Sequence, residues 1–490
     1  MTPKEKKKSE PQSVNKAVSR LKKTDKEKYK NLLAEYPNLW VTGSDDDFEH
    51  TEALSDEYKR FLDLGKTERE FVNITIESAE QLGYKDINEF STLRPGQKVY
   101  KSIKGKGLML AVIGKKAITN GFNILGAHID SPRLDLKPNP LYEENEMVYF
   151  KTHYYGGVKK YQWPTIPLAL HGVIFRRDGS KIMLNIGEND EDPIFYITDL
   201  LPHLGVEQMN RKGTEIIRGE DLNLLIGGRP VSQEEISNRF KIGILKILND
   251  KYGIVEKDFV SAELEVVPAL KARDVGFDRS FIAAYGHDDR VCAFPALKAL
   301  FDQNSPQKTV VVMLSDKEEI GSYGNTGAQS RLYENFLMEI FAKRNGGYDE
   351  LLYRHTIEAS KLLSADVSNG FDPTFSSVSD PKNAAYMSKG IMMEKYVGSR
   401  GKSGTNDANS EFYFDILDAF DKNNIPWQTG EMGKIDAGGG GTIAVYMANM
   451  GMEVIDCGVP VLSMHAPYEL ISKIDLYFTY LAYKTFIEKL

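Results

Sequence analysis

Five short polar segments interrupt largely apolar stretches of this chain, and their side chains are of the types that bind divalent metal ions. Together they supply two imidazoles and several carboxylates. Carboxylates and unpaired imidazoles are rarely buried unless another charge compensates them, and a divalent cation does so. A pair of such ions lowers the pKa of a shared water toward neutrality, which makes hydroxide available. The segments are Gly126 to Asp130, His287 to Arg290, Asp316 to Glu319, Ala365 to Asp366 and Met464 to Ala466.

Four of these segments follow apolar runs that have the length and composition of buried strands. In an open α/β sheet, ligands bind at the carboxyl ends of the strands. His128, Asp366 and His465 fall at such ends, so the repeated coincidence favours one shared site over chance burial. Periodicity alone does not separate a buried strand from a short buried helix. The runs are Asn123 to Ala127, Thr309 to Leu314, Leu362 to Ala365 and Val461 to Met464.

Two segments allow separate tasks for neighbouring side chains. In His128-Ile129-Asp130, alternation along an extended chain places the first and third side chains on the same side. A metal-bound imidazole usually donates its second ring proton to a carboxylate or carbonyl, so Asp130 is a candidate to orient His128. Adjacent glutamates at a strand end, Glu318 and Glu319, favour ligation by one and proton transfer by the other. The alternative for His128-Ile129-Asp130 is a surface turn, and the alternative for Glu318-Glu319 is a solvated pair.

The pair Asp288-Asp289 offers a carboxylate that could hold two ions at once. Only a group with two oxygens can bridge metal ions roughly 3.5 to 4 Å apart while it reduces their repulsion. The pair also precedes a helical stretch, where a carboxylate is electrostatically favourable, so helix capping is the competing interpretation. The residues alone leave open which aspartate would bridge.

Composition argues against several classes of protein. The chain has 490 residues, 41% of them hydrophobic and 27% charged, as is usual for an enzyme. Its net charge of -8 gives no electrostatic reason to expect nucleic acid as a partner. No window approaches the roughly 18 apolar residues that span a bilayer. The two cysteines, Cys292 and Cys457, lie in apolar stretches and predict reduced thiols, and no apolar segment follows the basic residues Lys4 to Lys8. We therefore expect a cytoplasmic protein.

The order of strand and helix signals predicts three segments. Residues 1–138 and 276–490 alternate between helices and strands, which predicts the two parts of a three-layer α/β/α catalytic domain. Residues 139–275 show closely spaced strands and turns, and we interpret them as an inserted β-rich domain. Its strongest signals are Met147 to Tyr155 and a hairpin of Leu168 to Arg176 with Lys181 to Ile186.

Two further helices are indicated near the start of the chain. Thr67-Glu68-Arg69-Glu70 is a capping box that opens an amphipathic helix, which Gly83 ends. Residues 1 to about 50 are rich in Lys, Glu and Asp and predict a solvated extension with a helix near Lys26 to Glu35.

Taken together, the motifs resemble the M18 family of metallo-aminopeptidases, the aspartyl aminopeptidase group of the co-catalytic di-zinc exopeptidase clan. The resemblance extends from about Tyr58 to Leu490. The chain departs from the family pattern at Asp288-Asp289-Arg290, where the family often has Asp followed by Asn. The motifs that carry the resemblance are Gly-Ala-His128-Ile-Asp130-Ser-Pro-Arg, Glu318-Glu319-Ile-Gly-Ser, Ser-Ala-Asp366-Val, Lys395-Tyr-Val-Gly and Ser-Met-His465-Ala-Pro.

This resemblance implies an α/β/α di-zinc exopeptidase domain, interrupted by an oligomerisation domain, that removes the N-terminal residue of peptides with a free N-terminus. It makes Asp288 the bridging ligand and Glu318 the general base, with Asp130 orienting His128. Two divalent ions are implied per subunit; zinc is expected, and manganese and cobalt are alternatives. One ion would be completed by His128 and Asp366, the other by Glu319 and His465.

The resemblance also implies residues for substrate binding and assembly. Lys395 matches a position that faces the substrate side chain, where a cation favours an acidic first residue; a neutral one is the alternative. The run Gly438 to Gly441, with Gly440, belongs to the family's pocket-forming region, unless it is simply a flexible turn. His203 matches a histidine that reaches into a neighbouring subunit's active site in tetrahedral dodecamers. A homo-oligomer of that kind is therefore expected.

Two other functions fit part of the pattern. A metal-dependent hydrolase of another amide, such as a deacetylase on a similar scaffold, would use the same ligands. A catalytically idle oligomeric scaffold would use the metals for stability alone. A base that is not itself a ligand, as expected of Glu318, has no task in a purely structural site and therefore favours an enzyme.

Overall fold

The computed structural model describes residues 29, 32–232, 234 and 236–490. Half of the helix expected near Lys26 to Glu35 lies outside the described residues, and the described residues 29 and 32–35 form no α-helix. Across the described part of the chain, none of the helices has the length and apolar character needed to cross a membrane. The α-helices are α1 (Leu39–Thr42), α2 (Asp45–Leu64), α3 (Glu68–Gln81), α4 (Val206–Met209), α5 (Arg239–Tyr252), α6 (His287–Phe301), α7 (Arg331–Asn345), α8 (Glu350–Glu358), α9 (Ser410–Lys422), α10 (Ala444–Ala448) and α11 (Lys473–Lys489).

A mixed sheet of nine strands forms the centre of the catalytic part, in the order β1-β2-β3-β13-β4-β14-β18-β16-β17. Its middle strands β13, β4, β14 and β18 are parallel neighbours. These strands are β1 (Lys85–Asp86), β2 (Lys98–Ile103), β3 (Gly107–Val112), β4 (Phe122–His128), β13 (Thr309–Ser315), β14 (Lys361–Ala365), β16 (Ile391–Glu394), β17 (Trp427–Thr429) and β18 (Glu453–Gly458).

Helices cover both faces of this sheet, and the middle strands are apolar on both sides for that reason. Val310 and Val312 pack into one hydrophobic core, while Val311 and Met313 pack into the other. The first core contains α6 and α11, and the second contains α7 and α8. The three-layer α/β/α arrangement predicted from the sequence is confirmed.

The inserted region forms a separate antiparallel sheet of six strands, in the order β8-β7-β10-β5-β6-β9, around its own apolar core. The expected strand from Met147 to Tyr155 and the expected hairpin are both present. The sheet begins at Arg133 and ends at Pro268, compared with the expected segment of residues 139–275. Its strands are β5 (Arg133–Glu144), β6 (Met147–Tyr155), β7 (Leu168–Phe175), β8 (Lys181–Ile186), β9 (Leu224–Gly227) and β10 (Glu263–Pro268).

Two small sheets complete the fold. Strands β11 (Arg273–Val275), β12 (Phe281–Ala284) and β20 (Glu469–Ser472) pair antiparallel, and β15 (Ser368–Asn369) pairs with β19 (Pro460–Val461). In the first of these sheets Ala284 lies opposite Glu469. This pairing brings the start of α6 next to the turn that precedes β20, so two of the polar segments become neighbours.

The capping box predicted at the start of α3 is present. The Thr67 hydroxyl accepts the N–H of Glu70, and the Glu70 carboxylate accepts the N–H of Thr67. The helix ends at Gln81, just before Gly83, whose φ of +86° favours glycine. Local sequence therefore sets both ends of this helix.

Candidate metal centre

The register of the central sheet places three polar segments at one edge. His128, the last residue of β4, lies opposite Ser315, the last residue of β13. Glu318 and Glu319 form a 3-10 turn just beyond β13, and Asp366 directly follows the neighbouring strand β14. Because parallel strands end at the same edge, these side chains converge there.

Asp288 and His465 reach the same place by another route. Asp288 lies in the first turn of α6, where its backbone is not helical. His465 lies in a turn, with a φ of +65°. The strand expected at Val461 to Met464 is only Pro460–Val461, so the prediction of a strand leading up to His465 was wrong. Leu462 forms an isolated bridge with Leu470, and the chain bends at Ser463 before the turn that contains His465.

Two groups of potential ligand atoms meet at this edge, and they share Asp288. The first contains His128, Asp288 and Asp366, the second contains Asp288, Glu319 and His465, and the ligand atoms of each group lie within 4.8 Å of one another. Nε2 of His128 is 3.0 Å from Oδ1 of Asp288, and Nε2 of His465 is 3.1 Å from Oδ2. One oxygen of the shared carboxylate thus faces each group.

Buried carboxylates are in excess at this centre. Burial raises the pKa of Glu318 to about 7. Burial, together with the nearby charge of Asp288, raises the pKa of Glu319 well above its usual value. Burial and repulsion from Asp289 do the same to the pKa of Asp366. The cluster therefore has more negative charge than its imidazoles compensate.

The donor set fits divalent metal ions. Among the described residues, the ion-pair partners of the three ligand carboxylates are the two imidazoles alone. Oε1 of Glu319 is buried without a hydrogen-bond partner in the structure. Imidazole nitrogens mixed with carboxylate oxygens suit zinc and similar ions, and a divalent cation would compensate the uncompensated charge.

Asp130 ties His128 to the turn that carries the two glutamates. Its Oδ1 accepts the N–H of Glu318 at 3.1 Å, and its Oδ2 accepts the N–H of Glu319 at 3.2 Å. Nδ1 of His128 lies 3.0 Å from the backbone oxygen of Asp130 and 3.3 Å from Oδ1. A proton on Nδ1 satisfies these acceptors and leaves Nε2 directed at Asp288, the orientation that a ligand needs.

The two adjacent aspartates have different surroundings. Asp288 belongs to both ligand groups, whereas Asp289 belongs to neither. Both carboxylate oxygens of Asp289 are buried without a hydrogen-bond partner, and burial raises the pKa of this carboxyl well above its usual value. The geometry thus favours Asp288 over Asp289 as the shared ligand, a choice that the residue types leave open.

The inserted domain contributes to the centre through the end of β6, where the sequence indicated no site residue. The Tyr155 hydroxyl donates to Oδ2 of Asp130 at 2.9 Å. Nδ1 of His465 donates to the backbone oxygen of Gly157 at 2.9 Å. A Cβ on Gly156 would lie 3.3 Å from Oε2 of Glu319. The sequence signal for this contact is the pair Gly156-Gly157 directly after an aromatic strand, because glycine lets the backbone come close to other side chains.

Residues 61–487 match the family described as aminopeptidase I zinc metalloprotease (M18). This chain belongs to the M18 family. It is therefore a metallo-aminopeptidase, a hydrolase of peptide bonds, as the resemblance implied.

Named relatives and solved structures agree with this family. A probable M18 family aminopeptidase 1 of Clostridium acetobutylicum is 50% identical over 461 residues, which are 93% of this chain and 99% of that protein. The crystal structure of an M18 aminopeptidase from Thermotoga maritima matches with a TM-score of 0.90 at 44% identity, over 94% of this chain and 100% of that one. The structure of the S. cerevisiae mApe1 dodecamer shares the fold, with a TM-score of 0.71 at 20% identity over 88% of this chain and 96% of that one.

In the described part of this M18 protein, the three expected substrate-binding residues form no hydrogen bond or ion pair with the metal-ligand side chains. Lys395 follows β16, and its Nζ donates to Oδ1 of Asp407 at 2.8 Å. Gly440 has open space where a Cβ would lie. His203 is exposed, in a loop of the inserted domain. Their roles in substrate binding stay predictions.

Proposed function

We propose that this M18 enzyme removes the N-terminal residue of peptides that have a free α-amine. Two divalent ions, zinc in the first instance and manganese or cobalt as alternatives, would be held by the two ligand groups. The observation that carries the proposal is the position of Asp288, whose two oxygens each face a different imidazole, at 3.0 and 3.1 Å. A carboxylate so placed can bridge two ions.

Glu318 is the proposed general base. The bound ions would supply a water of lowered pKa and polarise the scissile carbonyl. Glu318 belongs to neither ligand group, and burial brings its pKa to about 7. A carboxyl with a pKa near neutrality can take the proton of the attacking water and return it to the leaving amine. Asp130 fixes the base, because it holds the backbone N–H of Glu318.

An acidic first residue is the proposed preference, and a neutral one is the alternative. Lys395 and Lys402 both donate to the single carboxylate of Asp407, each at 2.8 Å. Two ammonium groups on one carboxylate leave net positive charge at this loop, which favours an acidic substrate side chain. The glycine run around Gly440 would line the same pocket. Gly439 has a φ of +120°, and a Cβ there would lie 2.0 Å from the backbone oxygen of Gly398.

We further propose a homo-oligomer, a tetrahedral dodecamer in which His203 enters the neighbouring subunit's site. Large apolar side chains are exposed on both sides of this histidine, which is typical of an interface. The most exposed are Leu204 at 71%, Met209 at 69% and Val206 at 68%. The related S. cerevisiae protein is a dodecamer. A cytoplasmic location is part of the proposal, supported by two buried free thiols.

The substrate proposal is tested with zinc-loaded protein and a series of short peptides that differ in the first residue. Release of aspartate or glutamate at a higher kcat/KM than leucine supports the acidic preference, and the reverse order contradicts it. Cleavage of N-acetylated substrates with free-amine peptides ignored would replace the aminopeptidase with a deacetylase-like activity. Lys395→Met should remove the acidic preference. Lys402→Met is the matched control: it removes the same charge from Asp407 but keeps the amine at the position expected to face the substrate, so it should retain more of the acidic preference than Lys395→Met.

The assembly proposal is tested by the particle mass in light scattering. A mass of twelve subunits supports the dodecamer, and a monomer contradicts it. His203→Ala should lower turnover without changing the particle mass, since the proposed contribution is chemical.

A further inference from the structure

Glu469 is a buried carboxylate that holds two of the ligand residues by their backbone. Its Oε2 accepts the N–H of Asp288 at 3.0 Å, and its Oε1 accepts the N–H of His465 at 2.7 Å. The residue is 1% exposed. It therefore connects the shared aspartate to the histidine of the second ligand group without belonging to either group.

Both segments need such support, because neither takes its geometry from a regular element. His465 has a φ of +65°, a conformation that residues with side chains rarely adopt. Asp288 has a ψ of 108° inside the first turn of α6, far from helical values. Neither N–H is paired within a helix or a sheet ladder, and the Glu469 carboxylate satisfies both.

A carboxylate suits this task better than any other side chain of its size. It accepts on both oxygens, one for each N–H, and donates nothing when ionised. An amide of the same shape would turn its NH₂ group toward one of the two N–H donors. The antiparallel pairing of Ala284 with Glu469 holds the glutamate backbone beside the strand that leads into α6.

We propose that Glu469 is a positioning residue of the metal centre, which sets His465 relative to Asp288 so that each oxygen of Asp288 meets its own imidazole. The proposal rests on the two-ion centre proposed above. Groups that orient ligands from outside the coordination shell commonly change metal affinity by about 10- to 100-fold when they are replaced. Glu469 is absent from the motifs that carry the resemblance, and its role follows from its contacts alone.

Asp475 provides a matched control within the same chain. It is also fully buried, and its two oxygens accept the N–H groups of Ser388 at 2.6 Å and Gly390 at 2.8 Å. Ser388 likewise has a left-handed backbone, with a φ of +65°. Asp475 thus does for a loop without ligands what Glu469 does for the metal centre.

The test compares Glu469→Gln, Asp475→Asn and wild type, each as full-length protein stripped of metal. Zn²⁺ is titrated by calorimetry, and the visible absorption of the Co²⁺-loaded protein reports ligand geometry. We expect Glu469→Gln to weaken Zn²⁺ binding by about 10- to 100-fold and to alter the Co²⁺ bands. We expect Asp475→Asn to lower the melting temperature with both metal readouts unchanged. If Glu469→Gln does not fold, Glu469→Asp, which is too short to reach both N–H groups, should show the same loss.

Wild-type Zn²⁺ affinity and Co²⁺ bands in Glu469→Gln would overturn the proposal, as would equal losses in Asp475→Asn. If wild type itself takes up no Zn²⁺, the two-ion centre fails and this proposal fails with it. Normal uptake by wild type with an unaffected Glu469→Gln removes only the role of Glu469.

Discussion

Two buried clusters of charge in this protein both combine histidine with carboxylates, and they differ in charge balance. The metal centre combines two imidazoles with the carboxylates of Asp288, Glu319 and Asp366. The second, which we call the interdomain cluster, consists of Lys66 and Glu70 of the catalytic part and His171 and Glu188 of the inserted domain. There two cations face two carboxylates, so the cluster is complete with side chains alone.

The geometry of the interdomain cluster shows that balance. Lys66 Nζ lies 2.6 Å from Oε1 of Glu188. The two ring nitrogens of His171 lie 2.8 Å from Glu70 and 3.1 Å from Glu188. Although burial opposes it, the hydrogen bond with His171 and the charge of Lys66 lower the pKa of Glu188 to about 2. The two carboxylates and the imidazole are thereby stabilised in their charged forms, although burial lowers the pKa of Lys66.

Two carboxylates of the metal centre shift the other way, since burial raises the pKa values of Glu319 and Asp366. Against burial, the two imidazoles lower the pKa of Asp288. Within the described part of the chain, Asp366 and Glu319 each have a single imidazole as ion-pair partner, whereas Asp288 has two, so the excess negative charge of the centre lies on Asp366 and Glu319. The contrast teaches that the balance between buried carboxylates and buried cations, rather than the presence of buried acids, indicates where an ion is needed.

The largest expected effect is that of removing the proposed base. Glu318→Gln should lower kcat by about 10²- to 10⁴-fold, because an amide cannot accept the proton of the attacking water. Zn²⁺ binding should stay close to that of wild type, since Glu318 belongs to neither ligand group. Steady-state kinetics and calorimetry check the two parts. Glu319→Gln is the matched control and should lose Zn²⁺ affinity as well; turnover that survives Glu318→Gln would refute the assigned base.

Metal removal should lower stability through the metal centre and leave the interdomain cluster unaffected. Zinc at about 1,000 times its Kd stabilises the folded state by about 4 kcal/mol per site, and this is lost on chelation. The melting temperature should therefore fall with chelator and recover with added zinc. Interdomain variants such as Glu188→Gln should show the same zinc-dependent rise as wild type. A melting temperature that changes with neither chelator nor zinc would contradict the interpretation that the metal centre needs a cation to compensate its carboxylates.

Breaking the interdomain cluster should cost stability without touching the metal. Glu188→Gln leaves Lys66, 2% exposed, without its ion-pair partner, and loss of one member of a buried pair costs about 3 to 5 kcal/mol. Denaturant unfolding measures this loss. Asp250→Asn, which removes the partner of Lys246 on the exposed face of α5, is the control. It should cost less than about 0.5 kcal/mol, and equal costs would contradict the comparison.

The smallest effect is a dependence of stability on pH that belongs to the interdomain cluster. Glu188 has a pKa lowered to about 2, so its contribution is present above its unfolded value, near 4.5, and is lost as pH falls through about 2. His171 behaves in the opposite way: although burial opposes it, the carboxylates of Glu188 and Glu70 raise the pKa of this histidine. Its contribution is therefore complete below about pH 6.5 and is lost as pH rises through the raised value.

Thermal melting of wild type and His171→Gln across pH, with both proteins in the same metal state, measures these changes, because the metal centre titrates alike in both. The difference in stability between the two proteins should disappear on the alkaline side. If the alkaline limb is unchanged in this variant, another group is responsible for it.

Much of the fold was predictable because helices and strands follow from local patterns. The capping box of α3, the strand β6 and the hairpin of β7 with β8 lie where the residues predicted them. The alternation of residues 259–267 predicts a strand from Phe259, but β10 begins only at Glu263, since Asp258 accepts the N–H of Val255 and caps a 3-10 turn first. Such a competing side-chain bond is invisible to alternation of apolar residues.

The sequence alone determined which residues could bind metal and that His128, the two glutamates and Asp366 follow strands, because residue chemistry and periodicity are local properties. Only the tertiary structure decided that Asp288, rather than Asp289, presents one oxygen to each group. It alone showed that Gly157, Tyr155 and Glu469 hold the ligands in place. Those contacts are made by backbone groups and by side chains from distant segments, and their distances depend on how the inserted domain and the small sheets pack against the central sheet.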